Sequence, residues 1–319
     1  MKKSFFASLM MLVSLATFAQ PQVVAHRGYW KTDGSAQNSV TSMELAAKHK
    51  IYGCEFDVWM TTDGILVCNH DGVIDGIRIE DVPYAKVQYC KMSNGELMPT
   101  VAQYLREGAK YPHLKMLFEI KTHKNNERNA KVVDQVVRLV RELGVQSQVE
   151  YIAFSQFICE RLHQLEPQAK VAFLNGNLTP KEVKALGLTG IDYHHSVFKK
   201  NPSWLKEAKE CGLEVNVWTV NDEKDLIEHA ANPYIDLITT DEPIMLKKIL
   251  KGGKKNKAGK GKDGKKNKKN NSFLCISLTF SYLCKAKIHK YFYDYDTQTS
   301  FHFLHNVPLR HIVSHGSRL

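Results

Sequence analysis

Eight short apolar runs alternate with helix-like segments between residues 23 and 250, and this alternation is what most limits the folds open to the chain. The runs cover 23–26, 55–61, 116–121, 150–154, 171–174, 190–193, 215–220 and 237–240. Strands separated by helices cannot close as tight hairpins. Each must return by a crossover, which gives a parallel sheet with helices packed outside it. Eight such units in a chain of 319 residues predict an α/β fold, a TIM-type (β/α)8 barrel. Helices are expected over 40–48, 129–143, 202–210 and 223–230, with Ser39 and Asn201 as N-caps and Gly212 ending the third. Residues 72–97 are too long for an ordinary connection and read as a small insertion after the second strand. An open doubly wound sheet is the competing fold. Its phosphate sites gather at one Gly-rich strand-to-helix turn, whereas the polar motifs here are spread over several strand ends.

Those motifs are His26-Arg27-Gly28, Glu55-Phe56-Asp57, His70-Asp71 and Glu119-Ile120-Lys121. Two histidines can move protons near neutral pH, three carboxylates suit a hard divalent cation, and Arg27 with Lys121 can hold a phosphoryl group. Glu55 and Asp57 are two apart on a strand and so share a face. Asp63-Gly64 reads as a two-residue hairpin turn with Thr62 opposite Ile65, a register that sets Asp57 opposite His70. Cys54 and Cys68 fall on the other face and read as small buried residues. The seven cysteines show no metal-knuckle spacing, and an odd number cannot all pair internally. His194-His195 ends a strand and is read equally as pocket wall or as surface, while Asp241 reads as a hydrogen-bond acceptor at the barrel end.

Charge separates the chain into regions. Of the net +11, residues 251–272 carry +9 and 273–319 carry +3, leaving −1 for residues 1–250. The expected barrel is thus near neutral and gives no reason to expect nucleic-acid binding. Residues 1–19 have Lys2-Lys3, an apolar stretch from Phe5 to Leu15 and Ala19, the make-up of a secretory signal peptide, so export to a periplasmic or extracellular space is expected. The expected domain is 20–250. Residues 251–272 form a Lys, Gly and Asn linker with too little apolar content to fold, which can associate weakly with anionic surfaces. Residues 273–319 read as a disordered extension outside any domain.

The ordered set of motifs, together with Thr62-Asp63-Gly64, Asn69-His70-Asp71, Val217-Trp218-Thr219-Val220-Asn221 and Thr240-Asp241, resembles the glycerophosphodiester phosphodiesterase family from about Val23 to Leu250. The resemblance implies a TIM-type barrel that hydrolyses a small-molecule glycerophosphodiester to glycerol 3-phosphate and an alcohol. By position, it implies Glu55, Asp57 and Glu119 as ligands of Ca²⁺ or Mg²⁺, and His26 and His70 as the acid/base pair. Arg27 and Lys121 match phosphate contacts, and Trp218 matches an aromatic residue near the substrate. One departure stands out. Ala36-Gln37-Asn38 replaces the family's Pro-Glu-Asn, so a carboxylate is exchanged for a neutral amide. Two other readings share these residues: a lyase releasing a cyclic phosphate, like the related sphingomyelinase D group, and a headgroup-binding protein in which Gln37 marks impaired catalysis.

Overall fold

The computed structural model describes residues 20–259. The expected leader at 1–19 and extension at 273–319 lie outside the described residues, as does most of the 251–272 tract. Eight parallel strands close into a barrel: β1 (Gln22–Ala25), β2 (Gly53–Met60), β3 (Lys115–Ile120), β4 (Val149–Ala153), β5 (Val171–Phe173), β6 (Gly190–His194), β7 (Glu214–Trp218) and β8 (Leu237–Thr240). Each pairs with the next, and β1 pairs with both β2 and β8, so this sheet has no open edge.

Strand alternation divides the side chains between two environments. On β2, Cys54, Phe56 and Val58 are fully buried in the layer between sheet and helices, while Glu55 and Asp57 point into the barrel. Helix α1 (Val40–Lys48) starts where expected, with the Ser39 side chain accepting from Ser42 N. Helix α3 (Asn126–Leu143) shows why packing outranks propensity. Val132, Val133, Val136, Val137 and Val140 are β-branched and poor helix formers, yet their spacing lays one stripe on the barrel. Each such side chain, once buried, contributes about 1.5–3 kcal/mol, more than the few tenths its propensity costs. Asn125 caps the start of this helix and Gly144, at φ 67°, ends it.

Three sequence expectations change. Asn201 is not an N-cap: it ends a short helix, α6 (His195–Lys200), and α7 (Trp204–Glu210) begins after Ser203 without a side-chain cap. The last helix, α9, runs Pro243–Gly259, beyond residue 250. Its Ile249 and Leu250 pack against the core, and Gly252 has open space around its Cα. The hairpin after β2 is one residue out of the expected register. Met60 faces Leu66 and Val58 faces Cys68, so Asp57 lies opposite Asn69, whose N–H donates to Asp57 O at 3.0 Å. The reason is the turn. Gly64 N donates to Thr61 O at 3.0 Å with Gly64 at φ 87°, a three-residue loop with a left-handed glycine in place of a two-residue turn.

The insertion follows that hairpin. It carries its own small core of Val67, Ile79, Val87, Cys90 and Met98, to which Trp59 of β2 adds its ring. It stands beside the C-terminal ends of β1 and β2, and Asn94 Nδ2 donates to Gly34 O at 3.2 Å.

Candidate active site

The C-terminal ends of β1, β2 and β3 carry the charged groups. After β1 the chain turns sharply through two left-handed residues, Arg27 at φ 54° and Gly28 at φ 81°. A Cβ on Gly28 would lie 2.2 Å from Ser42 Oγ, so only glycine fits there. The turn aims the Arg27 N–H at Glu55 Oε2, 2.8 Å away, and places the Arg27 guanidinium 2.7 Å from Gln37 Oε1 and 3.7 Å from Asp57 Oδ2. Gln37 therefore positions Arg27 with a neutral oxygen. Its neighbour Asn38, also left-handed at φ 61°, brackets Asp57. Asn38 Nδ2 donates to Asp57 Oδ2 at 2.8 Å, and Asn38 Oδ1 accepts from Asp57 N at 3.0 Å.

Glu55, Asp57 and Glu119 present carboxylate oxygens that all lie within 4.8 Å of one another, and all three are buried. Parallel pairing sets Asp57 beside Glu119, and the two-residue period adds Glu55. Lys121 Nζ sits 2.7 Å from Asp57 Oδ1 and 2.6 Å from Glu119 Oε1. Burial works against ionising Asp57, but Lys121, His70 and the Asn38 hydrogen bond together outweigh it and hold that carboxyl below its ordinary range. Glu119 is pushed up to about 7 by burial and by Asp57, and Glu55 is raised well above its ordinary value by the same two causes. Glu55 Oε1 is buried without any hydrogen-bond partner. Three carboxylates, one with a free buried oxygen, make an all-oxygen donor set that fits a hard divalent cation.

Each histidine rests on a carboxylate. His26 Nδ1 lies 2.7 Å from Asp241 Oδ1, and Asp241 is itself held by Trp30 Nε1 at 3.2 Å and Asn221 Nδ2 at 2.8 Å. His70 Nδ1 lies 2.6 Å from Asp71 Oδ1, but Asp71 is 78% exposed against 13% for Asp241. Although the register is shifted, His70 still reaches the site. The strand ends at Cys68, Gly72 turns at φ 70°, and Trp59 Nε1 donates to His70 O at 3.2 Å. Burial, assisted by Lys121 and Arg27, lowers the His70 pKa.

The opposite wall is built differently. Ile152, Phe154, Leu174 and Trp218 come from the ends of β4, β5 and β7, and they share one cavity of about 120 Å³ with His26, Arg27, Glu55, His70, Glu119 and Lys121. The Trp218 indole is pinned by its Nε1 donating to Asp192 O at 2.8 Å, with Phe154 and His194 set edge-on to it at 5.7 and 5.2 Å between ring centroids. His194 thus backs Trp218 without itself lining the cavity, while the His195 ring faces His229 at 6.2 Å. All of the sequence-derived candidates except Asp57 line the cavity, and Asp57 is 1% exposed directly behind it. Asn38 and Asp71 join the site from within the Ala36-Gln37-Asn38 and His70-Asp71 motifs, whereas Phe154 and Asp192 have no local sequence signal.

A closed (β/α)8 barrel that gathers two histidines, two basic side chains and three buried carboxylates at the C-terminal ends of its strands has the layout of an enzyme active site suited to an anionic substrate. Residues 26–245 match the model of the glycerophosphoryl diester phosphodiesterase family, and the chain belongs to that family, an enzyme of the phosphoric diester hydrolase class. A glycerophosphodiester phosphodiesterase of Parabacteroides distasonis superposes with a TM-score of 0.73 at 41% identity, over 74% of this chain and 98% of that one. The glycerophosphodiester phosphodiesterase of Caldanaerobacter subterraneus is 24% identical over 72% of this chain and 98% of its own length. An Oleispira antarctica phosphodiesterase, solved in complex with the product sn-glycerol-3-phosphate, shares the fold with a TM-score of 0.63 at 21% identity, over 73% and 97% of the two chains.

Proposed function

We propose that this chain hydrolyses glycerophosphodiesters to glycerol 3-phosphate and an alcohol, using His26 and His70 as the proton-transfer pair and a Ca²⁺ or Mg²⁺ ion held by Glu55, Asp57 and Glu119. The observation that carries the reading is the single cavity that brings both histidines, both cations and the carboxylate cluster together. The ion, when bound, supplies positive charge to a non-bridging phosphate oxygen. Arg27 and Lys121 face the same space, and their side chains would hold the remaining phosphate charge as it grows in the transition state. Asp241 faces Nδ1 of His26 and Asp71 faces Nδ1 of His70, so each carboxylate would hold the Nδ1 proton and leave Nε2 for proton transfer. One imidazole would take a proton from the attacking oxygen while the other gives one to the departing alkoxide. Gln37 keeps Arg27 in place, so its lack of charge is compatible with turnover.

Lys2-Lys3 with the apolar stretch to Leu15 supports export, the packing of Ile249 and Leu250 on the core supports a catalytic unit that reaches residue 250, and the Lys-rich composition after it supports weak association with anionic surfaces. The test is turnover of glycerophosphocholine followed by phosphorus NMR. Glycerol 3-phosphate as product is expected. A cyclic phosphate as final product would replace hydrolysis by the lyase reading, and binding without turnover would leave the headgroup-binding reading.

A further inference from the structure

Asp192 takes no part in the chemistry above, yet it lines the same cavity. It points into the barrel from β6 and is 2% exposed. Asn216 Nδ2 donates to its Oδ2 at 3.0 Å, whereas its Oδ1 is buried without a partner. Asn216 is itself committed: its Nδ2 also donates to Thr239 Oγ1 at 2.9 Å, and its Oδ1 accepts from that hydroxyl at 3.2 Å. A buried oxygen left unpaired is costly to the fold, and one bordering a binding cavity is accounted for when a ligand completes it. Ile152 and Leu174 nearby offer no competing polar atom.

We propose that Asp192 is a specificity-determining residue that hydrogen-bonds the terminal hydroxyl of the substrate's glycerol unit, seating glycerol at the cavity floor and leaving the departing alcohol at the mouth. This rests on the proposed hydrolysis of glycerophosphodiesters. With the phosphate held by Arg27 and Lys121, the terminal hydroxyl is the glycerol group farthest from phosphorus and so the one able to cross to the opposite wall. Phe154, 36% exposed at the rim, stands where the alcohol would leave. Burial pushes the Asp192 carboxyl up to about 8, so near neutral pH it is mostly protonated and can both donate and accept without placing another charge beside Glu119.

The experiment pairs residue and hydroxyl. The substrates are glycerophosphocholine and the choline phosphodiester of propane-1,2-diol, which lacks the terminal hydroxyl. Asp192→Ala should raise KM for the first about tenfold, with kcat kept within about threefold, and leave KM for the second unchanged. Asp192→Asn, which retains a donor and an acceptor, should stay close to wild type. Calorimetric binding of glycerol 3-phosphate should weaken about tenfold in Asp192→Ala, and binding of its 1-deoxy analogue should not change. Equal losses on both ligands, or no loss on either, overturn the proposal and make Asp192 structural. If Asp192→Ala does not fold, equal affinity of the wild type for glycerol 3-phosphate and its deoxy analogue overturns it instead. A wild type that binds glycerol 3-phosphate but turns over neither diester defeats the hydrolysis reading, while the binding comparison still decides the role of Asp192.

Discussion

The two halves of the cavity differ in what it takes to hold them together. The half made by β1, β2 and β3 packs Glu55, Asp57 and Glu119 against one another, and each buried charge is tolerable only through Lys121, Arg27 or Asn38. The half made by β4, β5 and β7 is Ile152, Phe154, Leu174 and Trp218, which gain from burial as ordinary core does. The first half is therefore stabilised less than its composition could allow, and its carboxylate cluster is the part that a bound cation would complete. The second shapes the space, and Asp192 of β6 adds one unpaired buried oxygen beside it.

Removing the ion should separate the halves most sharply. Excess chelator is expected to abolish turnover, and Ca²⁺ or Mg²⁺ to restore it; full activity in chelator would remove the ion from the charged half. Stability of the metal-free protein supplies the pH counterpart. Glu119, about 7 in the fold against an ordinary 4.5, binds a proton in the native state that the unfolded chain has already lost between those values. That contribution is fully present below about pH 4.5 and disappears as pH rises through about 7, and Glu55 acts in the same direction. His70, His123 and His229, whose pKa values are lowered by burial, oppose this trend up to their ordinary value of 6.5, so in chelator the melting temperature should fall above about pH 6.5, and saturating Ca²⁺ should flatten the fall. An unchanged slope would mean that the carboxylates do not hold the ion.

Next in size are the histidines. His70→Ala and His26→Ala should each lower kcat by roughly two orders of magnitude or more, with folding kept, as read by steady-state kinetics and circular dichroism. Asp241→Asn should cost less, about tenfold to a hundredfold in kcat, because the ring remains and only a charge-assisted hydrogen bond is weakened. The same change at Asp71, 78% exposed, should cost less again. Equal effects at Asp241 and Asp71 would make the two histidine supports equivalent.

The smallest effect belongs to the apolar half. Phe154→Ala should raise KM roughly twofold to tenfold and spare kcat, since it removes one edge-on contact with Trp218 at a half-exposed rim. A large fall in kcat there would show that the apolar wall shares in the chemistry and would erase the contrast between the halves.

The barrel and most of the charged half can be read from residue order alone. Strand and helix alternation leaves few topologies, and a two-residue period places Glu55 with Asp57 and Glu119 with Lys121 wherever those strands lie. Motif spacing along the chain is local information, so it survives small errors in strand bounds. Contacts between distant strands are fixed only on folding. The hairpin register turned on whether Gly64 adopts a left-handed conformation, and a one-residue slip there moved Asp57 from His70 to Asn69. The support of His26 by Asp241 joins residues 215 positions apart, and the use of Asn38 to bracket Asp57 required a left-handed backbone that nothing in the composition announces. The apolar wall was least legible of all. Ile152, Phe154 and Leu174 are ordinary strand-end residues in sequence, and they become a binding surface only because barrel closure turns β4, β5 and β7 toward β2 across a common interior.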